Sequence, residues 1–455
     1  LLLIGTDGTA KRLSDEPVIS FAGWDVSGTH IAYVAAEPLK YIAPWLRLLT
    51  IASDSSQVAP LISMIGMPYA ALVLPNLHAR TAIWDADANG ENPKKLLGGV
   101  HATFLHWSPR EPKLSVWLTV EPPYRLVESA PGMRTGDPAA IIDAETGKVE
   151  WMPVNGTEHA QIGHIALRAG RVEEAIREFD LAAATLPPDG KADWMFFRAI
   201  ALRKAGRQTE AEAAMQRFEP PASIQMNSLG LVAAFSRDQW LGQVGETMTA
   251  RHRFAAEAYL SLDMLDEAIE FLRGELRSAS SDRERLSAAV VLGQLLLLGD
   301  RRREYAVLAA DEVVPTAARV LTMAKTAPSA ESRRAAISTT VALAILPLAV
   351  DGFVESLPPD TVRKVSTRFA SFTPAADDLD FAIQLVLRNC GRQLKDAALT
   401  ERASVGLVTH PARGRFHLPA NGEVTLIYLL GCRMMFRIAE EFNERFAADV
   451  VPVRK

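Results

Sequence analysis

The run Asp85-Ala86-Asp87-Ala88-Asn89-Gly90 opens like a calcium loop of the form D-x-D-x-[DN]-G, in which spaced oxygens converge on one hard cation. Such a loop closes with a bidentate Glu at its twelfth position, and Leu96 stands there instead. The flanks read as strand rather than helix, so the residues are assigned to hairpin-turn chemistry and no metal is expected. A second cluster, His410, Arg413, Arg415 and His417, brackets a basic turn. It has the residue types of an anion site, and a solvated loop has them too. Other chemistry is missing at the level of motifs. The chain has no GxxxxGK[ST] phosphate loop, no GxSxG elbow, no HExxH and no CxxC. Its two cysteines, Cys390 and Cys432, either pair or remain buried thiols, and they decide nothing about compartment. A triad assembled from distant segments stays open. No catalytic residue, metal ligand or cofactor is assigned from the sequence.

What the chain does carry is repetition. GHIALRAGRVEEAIREFDLAAATLP, from Gly163, sets Gly170 at a turn and Ala175, Phe179 and Ala182 on one helical stripe. The pattern returns with Ala199, Leu202, Gly206, Ala211, Met215 and Phe218. It returns again with Ala256, Tyr259, Ala268 and Leu272, and more weakly from Leu292. Small residues let paired helices approach, and larger ones fill the space between pairs. Gly170 and Gly206 suit the left-handed backbone that ends a helix. The wider gap from Ala211 to Ala268 leaves room for about one extra element near Ser228–Trp240.

These segments resemble tetratricopeptide repeats, with a helical hairpin array of no particular family as the alternative. The resemblance implies a solenoid whose first helices line a concave groove for a protein or peptide. In that register the groove residues are His164, Arg168, Phe196, Arg203, Lys204, Arg253 and Glu257. The set leans basic and suits an acidic ligand. It lacks the family's carboxylate-gripping Lys/Asn pattern, since Ala160 and His164 occupy those places.

Residues 1–155 follow a different grammar of short β-branched and aromatic runs between Gly, Asp, Asn and Pro turns. GWDVSGTHIAYVA from Gly23 and LHWSPREPKLSVWLTV from Leu105 look alike, and Trp24 and Trp107 lie about two blade lengths of 40–45 residues apart. Asp7-Gly8, Asn89-Gly90 and Thr146-Gly147 supply hairpin turns. This part resembles the TolB-like and WD-repeat-like β-propellers of bacteria; a β-sandwich and an open sheet packed on the helices are the alternatives. There is room for only about three blades, and a closed propeller needs at least four. The sequence therefore suggests the C-terminal part of a larger propeller, with more chain ahead of Leu1.

Beyond Pro315 the repeat fades into a helical C-terminal region. Ala335–Val350 is apolar but short for a membrane span of about 20 residues, and it is read as a buried helix. Helices are predicted at Asp360–Ser371, Ala376–Ala398 and Ile427–Ala448, with a small hairpin at Asn421-Gly422. The expected domains are thus 1–155, 156–314 and 315–455. A net charge of −5 on 455 residues argues against broad nucleic-acid binding. The fold class expected is multidomain β plus α: blades, a helical solenoid and a helical extension. The function expected is a non-enzymatic scaffold or adaptor. Two alternatives are the sensory or regulatory part of a larger signalling kinase or transcription regulator, and an enzyme with a site in the C-terminal third. The compartment, periplasmic, secreted or cytoplasmic, and the oligomeric state stay open.

Overall fold

A computed structural model describes residues 2–4, 8–12, 18–36, 81–119, 138–152, 156–185, 192–216, 250–323, 334, 337–338, 341–342, 344–349, 353–373 and 377–411. The protein is a mixed β and α chain, with two antiparallel sheets among the described residues. Its described residues fall into two compact units. The first lies within Leu1–Lys40, Pro75–Ser228 and Glu257–Asp263; the second lies within Leu229–Ala256 and Met264–Lys455.

The first unit begins with strands β1 (Leu2–Ile4) and β2 (Ala10–Arg12), which pair with each other. Strands β3 (Val18–Trp24), β4 (His30–Ala36), β5 (Thr81–Asp87), β6 (Lys94–Trp107), β7 (Lys113–Thr119), β8 (Ala139–Asp143) and β9 (Val149–Trp151) then form one meander. Strand β6 serves two neighbours. Lys94–Val100 pairs with β5, and His101–Trp107 pairs with β7. Between the halves, Gly99 has φ +73° at a register shift, a conformation that a side chain would strain. The meander therefore reads as two four-stranded halves.

Each half repeats the same hairpins. Trp24 and Trp107 each precede a turn in which the following amide, of Asp25 or Ser108, donates to the carbonyl of His30 or Lys113. Third strands end at Asp87 and Asp143, whose turns use Gly90 and Gly147 with positive φ. The Trp107 indole N–H donates to the Gly23 carbonyl at 3.0 Å, so like strands of the two halves meet. Burial alone would raise the Asp25 carboxyl. The Ser27 hydroxyl and the amides of His30, Thr29 and Ser27 outweigh it and hold Asp25 at about 2.

The helices come as hairpins. The first unit holds α1 (Gly156–Arg168), α2 (Val172–Thr185), α3 (Ala192–Lys204) and α4 (Gln208–Gln216), each packed on the next. Helix α5 (Ala250–Ser261) is divided between the units. The second unit continues with α6 (Leu265–Ser278), α7 (Asp282–Leu298), α8 (Arg302–Leu308), α9 (Val314–Met323), α10 (Pro359–Ala370), α11 (Asp378–Leu394) and α12 (Ala397–Thr409). One left-handed residue closes each tight hairpin: Gly170, Gly206, Asp263, Asp300 and Lys395. At Gly170, Gly206, Asp300 and Lys395 the next amide (Arg171, Arg207, Arg301 or Asp396) reaches back to the helix carbonyl five residues earlier.

Three hairpins share a further clasp. Arg171, Arg207 and Arg301 follow the left-handed residue, and each bonds the glutamate three positions on: Glu174, Glu210 and Glu304. His159 and His252 stand equally far ahead of their turn residues, and each reaches a carboxylate of the second helix, Glu178 or Glu275.

One expectation changes in the C-terminal region. The single helix predicted over Ala376–Ala398 is two helices, because Lys395 turns left-handed and the Asp396 side chain caps the next helix at the Leu399 amide. Helix also runs unbroken through Pro315. The proline ring would clash with the carbonyl four residues back. A π turn at Ala309–Val313 absorbs this, and the Val314 amide donates to Ala309 instead. Within the apolar run, Ile337, Val341, Ile345 and Leu348 are buried. Among the described residues no helix is long and apolar enough to cross a membrane. The Asn421-Gly422 hairpin, the Ile427–Ala448 helix, Cys432 and the insert near Ser228–Trp240 lie outside the described residues.

A Cβ on Gly163 would sit 2.8 Å from the Phe179 ring, whereas one on Gly274 meets nothing within 4 Å. Gly163→Ala is therefore expected to cost about 1–3 kcal/mol in denaturant unfolding. Gly274→Ala, in the middle of α6, is expected to gain about 0.5–1 kcal/mol.

Candidate functional site

The positions expected to line a groove split into interior and surface. His164 and Phe196 are in the core, 2% and 0% exposed. His164 meets Phe197 edge-on, and Phe196 meets Tyr259 edge-on. Arg168 is a strut. Its guanidinium donates to the Gly99 carbonyl at 3.0 Å and to the Asp263 carboxylate at 3.3 Å. Its side chain is 8% exposed, and a Cβ on Gly99 would press within 2.8 Å of Arg168 Cδ. Beside it, Ile165 joins the apolar core of the sheet. Of the α1 positions that the resemblance assigns to a ligand, Arg168 is thus taken up by this unit's own sheet and His164 by α3. Arg203 is half-buried and donates to the Tyr259 hydroxyl at 3.3 Å, while Lys204 is exposed. Arg253 and Glu257 belong to α5, and their side chains lie outside the described residues.

The second unit assembles what short motifs did not reveal. Ser287 Oγ lies 2.8 Å from His252 Nδ1, and Glu275 lies 3.4 Å from His252 Nε2. Serine, histidine and carboxylate in a row have the order of a hydrolytic triad. Ser287 is nevertheless 0% exposed within α7. The cluster instead satisfies polar groups in a helical core. The His252 bond holds the Glu275 carboxyl below the usual range against the opposing effect of burial, with Arg251 assisting.

The second unit also has an open cleft of about 1000 Å³, lined by second helices of the hairpins over a floor from α7. Leu276, Leu292, Leu296 and Leu357 supply apolar surface, and Arg273, Arg301, Arg302 and Arg303 line it too. Glu304 bonds both Arg273 and Arg301. The π turn directs Asp311 toward Lys364 and Arg368 of α10, and Glu312 toward Arg285. Arg302 bonds Asp300 and lies over the Phe353 ring.

Of the basic turn near the C-terminus, His410 is buried and bonded to Asp380 at 3.1 Å; Arg413, Arg415 and His417 lie outside the described residues. In the loop with calcium-like spacing, Asp85 is buried against His30 at 3.1 Å, and Asp87 accepts from Asn92. Burial raises the Asp85 carboxyl, with His30 opposing. Among the described residues no group of three or more His, Cys, Asp or Glu side chains is placed to hold a metal. Cys390 is a buried thiol pushed up to about 12 by burial. No protein-family model, curated protein or solved structure matches the chain.

Arg168→Met should destabilise the fold by about 1–3 kcal/mol, because it removes the bonds to the Gly99 carbonyl and the Asp263 carboxylate. Lys204→Met should stay within about 0.5 kcal/mol; urea titrations compare the two. Glu275 titrates lower folded than its ordinary 4.5, so its contribution is present above that value and is lost as pH falls through the folded pKa. Glu275→Gln should therefore destabilise at pH 7, by about 2 kcal/mol. Its deficit relative to the parent chain should shrink as unfolding is measured below about pH 4.5.

Proposed function

We propose that this chain is a non-enzymatic scaffold or adaptor, in which propeller-like blades lead into a tetratricopeptide-like solenoid that docks a protein or peptide partner. The observation that carries the reading is the recurrence of one helix hairpin, closed by Gly170, Gly206, Asp263, Asp300 and Lys395 in turn. Stacked hairpins present an extended, preformed surface, and preformed surfaces bind segments at low ordering cost. The two halves of the meander support the blade part of the reading. They repeat the same hairpins, and the Trp107–Gly23 bond joins like strands, as between blades around an axis.

The docking surface is narrower than the full set of groove positions. Phe196, His164 and Arg168 serve the interior, which leaves Arg203 and Lys204 as the described cations at the end of α3. These two cations favour an acidic segment. Nucleic acid is disfavoured by the net charge of −5.

The test is affinity co-purification from native extract, with captured proteins identified by mass spectrometry. The parent chain should retain a partner that Arg203→Glu/Lys204→Glu loses, while the unfolding midpoint of the variant stays close to the parent's. Undiminished capture by the variant removes the α3 surface from the proposal. Absence of any specific partner with either chain shifts the reading to a regulatory part of a larger signalling protein.

A further inference from the structure

We draw no further inference here: the strongest candidate, the open cleft of the second unit beside the π turn, sets Arg273, Arg301, Arg302 and Arg303 against Asp300, Glu304, Asp311 and Glu312, so its charges balance and nothing in the structure shows what covers it.

Discussion

A helix of 13 residues such as α1 is marginal on its own, so it depends on the reversal that lays the next helix along it. That reversal is one residue in the left-handed region. It lets its own amide and the next one turn back onto the carbonyls that the helix end leaves open, as at Gly170 and Arg171. Where the residue is Gly170 or Gly206 the conformation is cheap. Where it is Asp263, Asp300 or Lys395 the chain bears strain, which the packed hairpin must outweigh. Everything else about the helices follows from this constraint. Gly163 has no side chain because Phe179 arrives there, and Arg-x-x-Glu pairs tie the new helix to the turn that starts it.

The second organising fact is that polar and charged groups are spent on holding elements together. Arg168 joins a strand bend, a helix end and a hairpin turn within one unit. Histidines 30, 159, 252 and 410 each meet a carboxylate from another element or turn. Buried groups of this kind must be satisfied or they cost several kcal/mol each. Their geometry can look like a catalytic array while serving packing. Ser287, His252 and Glu275 make the point: spacing alone suggests a nucleophile, and Ser287 is buried within α7.

Much of the fold was legible because its signals are local. Ala175, Phe179 and Ala182 recur at helical spacing, and Gly170 and Gly206 mark reversals. Trp24 and Trp107 mark equivalent strand ends. The later reversals were harder to see, since aspartate and lysine carry no strong left-handed signal, and Lys395 was absorbed into a longer predicted helix. A proline such as Pro315 normally stops a helix. The π turn that carries the helix past it is visible only in the hydrogen bonds. The Arg-x-x-Glu run after three of the reversals was present in the sequence and went unread, because pairs three apart are common on solvated helix faces.

The candidate site was less legible than the fold, for a physical reason. Periodicity and turn chemistry depend on residues near in sequence, so the glycine-closed helix hairpins, the strand-and-turn pattern and the lack of short catalytic motifs could be read directly. Which helix face meets solvent depends on what packs against it, and that partner comes from far along the chain. The folded chain alone shows that Arg168 bonds Gly99 of β6, that His164 packs on Phe197, and that Lys204 stays exposed. An arginine on a stripe reads the same whether it grips a ligand or its own sheet, until the sheet is placed.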